Sequence, residues 1–339
     1  MRKRFHSNIA VMGPMLAVLA VLAWAPGARA QKFSDWSAPV NLGPVVNSEF
    51  HDQHPAISAN GLSLYITSNR PGGFGKFDIW VSQRATLGDD WGPPQNLGPI
   101  INTGSTDQDQ NYAPNFSGDG HRMYFCATRP GGFGGDDIWV SFREDTSDDF
   151  DWQPPTNLGS GVNTERSECA PTIFEDQREG VTTLYFTRCV SSDPAQCGFE
   201  NPNQKFDIYA STLNDDGTFG TAVPVPELNS GYRDTRTAIR SDGLEFFLTS
   251  SRPGGIGFLD LWVSTRESTL DPWSLPVNLG STINYPGYAT GAPALSADGT
   301  TLFFFSTRPG GFGLRDLYVS TRKKLCDDNE AGGNDHPPL

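Results

Sequence analysis

Short apolar runs recur along the chain, separated by polar and glycine-rich segments, and this pattern predicts β-strands. The most regular run is β-branched and aromatic, and four of its five copies follow an Asn-Gly or Asp-Gly dipeptide such as Asn60-Gly61. These dipeptides supply the positive φ angles of a two-residue hairpin turn. The five copies occupy residues 64–67, 123–126, 184–187, 246–249 and 302–305. No part of the repeats shows the helical period of about 3.6 residues.

A glycine-rich loop follows these runs and leads into a second regular strand. Arg-Pro-Gly-Gly-x-Gly precedes Asp-Ile/Leu-Trp/Tyr-Val-Ser in four copies, and a fifth copy keeps only the strand, at 205–212. A Trp-x-x-Pro-x-Asn-Leu-Gly segment, or a relic of it, opens each repeat at Trp36, Trp91, Trp152, Phe219 and Trp273. Four short strands in a repeat of about 55 to 65 residues predict an all-β fold, a five-bladed β-propeller of four-stranded antiparallel blades.

The phase of the repeat predicts how the propeller closes. The first strand, at 36–42, lacks a blade of its own, and the last blade ends at its third strand, 316–322. We expect the N-terminal strand to complete the last blade, because closure removes exposed sheet edges. The predicted domain spans residues 31–325.

The combined motif Ser-x-Asp-Gly-x-x-Leu-Tyr-Phe-x-Ser-x-Arg-Pro-Gly-Gly-x-Gly-x-x-Asp-Ile-Trp resembles the WD40-like repeat of TolB-type bacterial β-propellers. The resemblance covers nearly all of residues 36–324. It implies a bacterial envelope protein with a binding role. TolB itself has six blades and an added α/β domain, whereas this chain has five copies of the repeat, so its particular partners do not carry over.

The two ends of the chain predict its compartment. Basic residues, an apolar stretch at 11–25 and the small-x-small triplet ending at Ala30 are typical of a signal peptide over residues 1–30. The mature protein is then periplasmic or secreted, without membrane insertion. Residues 326–339 are expected to form an acidic disordered tail.

Charge limits the partners. The net charge is −14, and it becomes −18 when the four basic residues of the signal peptide are removed. Such a chain is repelled by phosphate backbones, so nucleic acid is excluded as a partner. The acidic clusters at 145–151 and 327–330 are expected to be solvated, with structural calcium there as the alternative. No other cofactor or metal is expected, with a metal at His51, Asp52 and His54 as the alternative to catalysis by these side chains. We expect a monomer.

Five cysteines lie in the mature chain, which is expected to meet an oxidising compartment. Cys189 and Cys197 flank the insertion that replaces the third glycine loop, and we predict a disulfide between them. Cys126 and Cys169 lie in adjacent repeats and form a second possible pair. Cys326 is then left over.

The repeated side chains are interpreted as structural. Each Arg of Arg-Pro-Gly-Gly precedes an Asp by eight positions, as Arg70 precedes Asp78, and the two are expected to pair across the loop. The tryptophans are expected to pack between blades, with a sugar-stacking platform as the alternative. One asparagine also recurs in every repeat, either bonding nearby backbone or contributing to a ring of ligand contacts: Asn47, Asn102, Asn163, Asn229 and Asn284.

Residues that differ between blades are the candidates for chemistry. The loops that lead into the first strand of each blade, here called the inner-strand loops, are expected to meet the glycine loops on one face, around the channel mouth. The binding candidates there, beside the asparagines, are Tyr112, Arg166, Tyr232, Arg233 and Arg236. The catalytic candidates are Asp52, Asp107, Glu168 and Asp234 as paired carboxylates, and His51, His54 and Tyr288 as acid–base groups.

These features favour a secreted or periplasmic binding module that recognises a glycan or a cell-envelope protein at the channel mouth. Two alternatives remain. One is a carbohydrate-active enzyme, a glycoside hydrolase or polysaccharide lyase, using the acidic and His/Tyr residues of the mouth. The other is a scaffold for protein–protein interactions in the envelope.

Overall fold

The computed structural model describes residues 31–104, 110–191, 193, 197 and 204–325. Five four-stranded antiparallel sheets form five blades. The first strands of neighbouring blades contact one another in a closed ring. These inner strands therefore surround a common axis, and the predicted five-bladed β-propeller is confirmed.

Each blade runs outward from its inner strand. Blade 1 contains β2 (Asp52–Ile57), β3 (Ser63–Ser68), β4 (Asp78–Gln83) and β5 (Gln95–Asn96). Blade 2 contains β6 (Asn111–Phe116), β7 (Arg122–Ala127), β8 (Asp137–Phe142) and β9 (Thr156–Asn157). Blade 3 contains β10 (Glu168–Asp176), β11 (Val181–Cys189), β12 (Phe206–Thr212) and β13 (Val223–Pro224). Blade 4 contains β14 (Asp234–Ile239), β15 (Glu245–Ser250), β16 (Asp260–Thr265) and β17 (Val277–Asn278).

Blade 5 closes the ring with strands from both ends of the chain. It contains β18 (Thr290–Leu295), β19 (Thr301–Ser306) and β20 (Asp316–Thr321), and its outer strand is β1 (Val40–Asn41). The short helix α1 (Gly43–Val46) follows β1. Val40 pairs with Val319, and Asn41 pairs with Tyr318. The predicted closure by the N-terminal strand is therefore confirmed.

The glycine loops wrap around the aspartate that starts the third strand. In blade 1 the Asp78 carboxylate accepts the backbone N–H groups of Phe74 and Gly75 and a side-chain N–H of Asn96. A Cβ at Gly73 would lie only 2.0 Å from the Asp78 carboxylate, so this close wrapping requires glycine. The predicted pairing of Arg70 with Asp78 is wrong, because that carboxylate already caps the loop backbone.

The tryptophan column packs between blades and is capped by arginines. Trp152 is buried beside Tyr65 of the neighbouring blade. The Arg143 guanidinium lies over its ring, 4.5 Å from the centroid, and the same contact recurs elsewhere. The other pairs are Arg84 with Trp91, Arg266 with Trp273 and Arg322 with Trp36. The column is therefore interior packing rather than an exposed sugar platform.

Two disulfides and one buried acid fix the irregular parts. Cys189 and Cys197 are bonded as predicted, with Cα atoms 5.7 Å apart. Cys126 of β7 is bonded to Cys169 of β10 and joins blades 2 and 3. The acidic loop at 145–151 is not wholly solvated, because Asp149 is buried and accepts hydrogen bonds from blade 1. The signal peptide, Cys326 and the acidic tail lie outside the described residues.

Candidate functional site on the propeller axis

One residue of every inner strand adopts a left-handed backbone. These residues sit at a β-bulge in the pairing of the first two strands, and together we call them the axial layer. They are His54, Ala113, Ala170, Arg236 and Ala292, with φ between 47° and 54°. None is glycine, so the surrounding structure must hold this uncommon conformation. Three of their N–H groups donate to threonine hydroxyls of the preceding blade, at Thr67, Thr187 and Thr249.

The axial layer breaks the symmetry of the blades. Alanine occupies it in blades 2, 3 and 5, whereas blade 1 has His54 and blade 4 has Arg236. Both side chains are only 5% exposed. His54 Nδ1 and Arg236 Nε are buried without a hydrogen-bond partner. A folded chain rarely leaves buried polar atoms unpaired, so this layer is a candidate for ligand binding.

Burial and charge keep the His54 imidazole neutral. Burial lowers the pKa of His54 well below its ordinary value, and the positive charges of Arg236, Arg315 and Arg233 lower it further. Burial also lowers the pKa of Arg236, again assisted by the two other arginines. The pKa of Arg233 falls to about 10 for the same reasons, burial first and Arg315 second. The layer therefore combines a neutral base with concentrated positive charge.

Neighbouring side chains complete the axis. Arg315 belongs to the glycine loop of blade 5, and it donates a hydrogen bond to Gln53 and lies over the ring of Phe305. The Tyr112 hydroxyl donates to Asp136, with 2.6 Å between Oη and Oδ2. The Tyr112 ring centroid lies 5.7 Å from that of His54. Of the binding candidates, the structure thus brings Tyr112, Arg233 and Arg236 together around His54.

A cavity of about 320 Å³ lies along the axis. His54 and Arg236 line its inner end, and the hairpin turns between the first two strands of each blade line its other end, as at Ala59 and Ser241. The prediction placed the pocket at the inner-strand loops. The cavity instead extends from the axial layer towards the hairpin turns, because its lining runs from the layer residues along the inner strands to those turns.

The acids nominated for catalysis are held in ion pairs. Asp52, Glu168 and Asp234 begin the inner strands and are fully buried. Their partners are Arg70 at 2.5 Å, Arg188 at 2.8 Å and Arg252 at 2.6 Å. Burial raises the pKa of Glu168. Hydrogen bonds from Thr164 and the charge of Arg188 oppose this rise. These carboxylates therefore stabilise the blades, and the catalytic assignment gains no support from their geometry.

The second and fifth blades differ at this position. The loop before β6 is longer, so Asn111, not Asp107, begins the inner strand of blade 2 and accepts a hydrogen bond from Arg129. Asp107 lies outside the described residues. In blade 5, Thr290 is the residue that begins the inner strand.

The repeated asparagines bond the backbone of a neighbouring strand. Asn102 accepts the N–H of Ile79 and donates to its carbonyl, each at 2.8 Å. The other members make the matching pair of contacts to Leu317, Ile138, Ile208 and Leu261: Asn47, Asn163, Asn229 and Asn284. Their amides are thus engaged inside the blades.

The remaining candidates lie apart from the axial layer. Tyr232 and Tyr288 lie in the inner-strand loops of blades 4 and 5 and are 50% and 38% exposed. Arg166 donates to the carbonyl of Cys189. His51 forms a backbone bridge with Arg315. Over the described ranges, no three His, Cys, Asp or Glu side chains are grouped so as to hold a metal ion.

Solved structures with a similar fold include glycoside hydrolases. An α-L-arabinofuranosidase from Lactobacillus brevis aligns with a TM-score of 0.55 and 18% identity, over 84% of this chain and 94% of its own. A structure titled glycoside hydrolase aligns at 0.54 and 12%, over 92% and 96%. A thermostable family-43 glycoside hydrolase aligns at 0.51 and 14%, over 88% and 98%. At these identities the likeness establishes the fold.

Sequence comparisons add no family. No protein-family description matches the chain. No curated protein matches it either. The propeller implied by the TolB-type resemblance is present. Membership of the TolB-type family is not supported, because no family description matches the chain and the structural neighbours named above are glycoside hydrolases.

The comparisons also correct the functional interpretation. The interpretation of the chain as a binding module is not borne out, because these neighbours that share its fold are glycoside hydrolases. In the part of the chain that the structure describes, no helix is long and apolar enough to cross a membrane.

Proposed function

We propose that this protein is a secreted carbohydrate-active enzyme whose reacting groups stand at the axial layer. The observation that carries the proposal is the replacement of alanine by His54 and Arg236 at equivalent, buried, left-handed positions. The backbone has the same left-handed conformation at this position in all five blades, and alanine is sufficient for it in three of them. The two large polar side chains therefore need another reason, and ligand chemistry at the axis supplies one.

His54 is the proton acceptor in this proposal. Its imidazole is neutral, because burial and three nearby arginines oppose protonation. A neutral base that lines a cavity can accept a proton from a bound sugar. Arg236 lies in the same layer and stabilises negative charge on the ligand or the transition state. The cavity volume of about 320 Å³ falls within the range of about 300–1,000 Å³ found for small-ligand sites.

Secretion is supported by the disulfides and by the N-terminal sequence. Two disulfides join Cys126 to Cys169 and Cys189 to Cys197. Such bonds persist in oxidising compartments. A saccharide substrate outside the cytoplasm fits this location.

The test is turnover of polysaccharides by the chain from residue 31 onwards. Reducing ends are measured after incubation with a panel of neutral and acidic polymers. His54→Asn is the informative variant, because asparagine tolerates the left-handed backbone. We expect it to lower the rate about 100- to 10,000-fold without loss of the fold. His121→Asn is the matched control, since His121 lies against Phe142 on the outer part of blade 2. Absence of product from every polymer contradicts the proposal.

A further inference from the structure

Positive charge gathers at the axis of a chain that is acidic as a whole. After burial, the charge of Arg315 lowers the pKa of both Arg233 and Arg236, and the charge of Arg233 also lowers the pKa of Arg236, so the three side chains lie near one another. Arg233 and Arg236 are each only 5% exposed, in a chain of net charge −14. Bringing like charges together in a buried site costs free energy. An axis built for packing alone does not require them.

Arg236 differs from the other blade arginines in its partners. Arg70, Arg188 and Arg252 each reach a buried carboxylate within 2.8 Å. Over the described residues no carboxylate forms an ion pair with Arg236, its Nε has no hydrogen-bond partner, and its guanidinium lies over the Phe305 ring. The side chain lines the cavity beside His54. An anion entering the cavity would provide the missing counter-ion and the missing acceptor.

We infer that the substrate is an acidic saccharide, whose sugar carboxylate binds Arg236 at the inner end of the axial cavity while His54 removes the proton on the adjoining carbon. This inference rests on the proposed function, and it names the substrate class and the reaction. Guanidinium groups bind carboxylates through two parallel hydrogen bonds, so the contact orients the sugar as well as binding it.

Charge along the cavity supports this orientation. The inner end carries Arg236, whereas Glu175 lines the cavity near the hairpin turns, where its Oε2 accepts the Gly118 N–H at 3.3 Å. A negative group is attracted to the inner end and repelled by the outer end. The carboxylate of the substrate therefore points towards Arg236 and places its neighbouring carbon beside His54.

The reaction that follows is a β-elimination. His54 takes the proton from the carbon next to the carboxylate. The electron pair of that C–H bond forms a carbon–carbon double bond, and the bond from the next carbon to the glycosidic oxygen breaks. The leaving oxygen takes a proton from water, and His54 returns its proton to the solvent. Arg236 stabilises the negative charge that develops on the carboxylate. The products are an unsaturated uronate and a new reducing end, with no oxidant or reductant consumed.

The experiment compares three groups of polymers: uronate polymers such as polygalacturonate, alginate and glucuronan, neutral arabinan and xylan, and a sulfated galactan. Reducing ends and the ultraviolet absorbance of unsaturated uronate are measured in the same samples. We expect both signals, in equal amounts, from at least one uronate polymer. We expect neither signal from the neutral or the sulfated polymers. Reducing ends from a neutral or sulfated polymer, without unsaturated product, overturn the inference but leave the proposed function standing. No product from any polymer overturns both.

Binding of a uronate trisaccharide from the cleaved polymer separates recognition from turnover. Arg236→Asn keeps the left-handed backbone accessible and removes the charge. Calorimetry is expected to show about 10- to 100-fold weaker binding by this variant, and Arg236→Lys is expected to recover part of the loss. Arg122→Gln, at an exposed position of β7, is the charge-matched control. Unchanged affinity in Arg236→Asn, with thermal unfolding showing an intact fold, overturns the inference.

Discussion

Arg252 places Nη2 2.6 Å from Oδ1 of Asp234, joining the glycine loop of blade 4 to the start of its inner strand. The same guanidinium nitrogen donates to the carbonyl of Leu228 in the preceding loop. Blade 1 repeats both contacts through Arg70. In blade 3 the glycine loop is lost. Arg188 of the second strand, β11, takes the role of the loop arginine and pairs with Glu168. The contact is thus a property of the blade rather than of the loop motif.

Loss of the Asp234 carboxylate is expected to destabilise the protein without removing a catalytic group. Asp234→Ala leaves Arg252 buried without its counter-ion, which costs about 3–5 kcal/mol. Asp234→Asn is expected to cost less, because Asn111 fills the same role opposite Arg129 in blade 2. Urea unfolding measures both, with Asp90→Ala, an exposed acid, as the control. A fall of a hundredfold or more in turnover by folded Asp234→Asn would return this residue to the catalytic candidates.

The sequence was sufficient to predict the blades and their closure. Turn dipeptides and strand runs recur in register, and their phase requires a strand from the N-terminus to complete the last blade. Arginine pairing was not predictable from the sequence, because Arg70 lies eight positions before Asp78 but eighteen after Asp52, its partner. The number of residues between an arginine and an acid does not show on which side of the loop the arginine side chain lies.

The axial layer was harder to predict. His54 and Arg236 were both among the candidates, but they were assigned to loops, because an inner strand without glycine gives no sign of a left-handed residue. One signal was available. Proline follows the layer residue in four blades, at Pro55, Pro114, Pro171 and Pro293, and proline inside a strand marks a bulge. Aligning the blades on that proline would have shown His54 in place of alanine in blade 1. Blade 4 has Thr237 instead of the proline, so this signal does not reach Arg236.

Closure by β1 is expected to stabilise the whole propeller. Asn41 Nδ2 lies 2.9 Å from the Asp316 carboxylate, and Trp36 packs against the Arg322 guanidinium. Deleting residues 31–43 exposes the edge of β20 and removes both contacts. We expect a fall of about 10 °C or more in the melting temperature. A synthetic peptide of residues 31–43 should restore part of it by binding to the open edge. An unchanged melting temperature after the deletion would disprove the stabilising role of closure.

The two disulfides are expected to contribute unequally. Cys126 and Cys169 are separated by 43 residues, whereas Cys189 and Cys197 are separated by 8. Closing a longer loop removes more entropy from the unfolded chain, which gives about 4 kcal/mol for the first and about 2.5 kcal/mol for the second. Denaturant unfolding of the two double-alanine variants compares them. A larger loss from the Cys189/Cys197 pair would show that local packing, rather than loop closure, sets their contributions.

His54 is expected to make stability depend on pH in the acid range. Its pKa in the folded chain is lowered, first by burial and then by Arg236, Arg315 and Arg233, while in the unfolded chain it stays near 6.5. Tyr112 faces the imidazole and donates to Asp136, so these groups belong to the same environment. Below the unfolded pKa the unfolded chain binds a proton that the folded chain does not.

Stability should therefore fall as the pH drops below about 6.5, by up to about 1.4 kcal/mol for each pH unit, until the folded pKa is reached. His54→Asn lacks this contribution, so the free energy of unfolding of the wild type relative to the variant should decrease between pH 7 and pH 5. Above pH 7.5 the difference should be constant, since His54 is neutral in both states. The same titration of His121→Asn supplies the reference for a histidine outside the axial layer. Parallel curves for wild type and His54→Asn would mean that the folded protein accepts a proton at the axis, and His54 would then be no permanent neutral base.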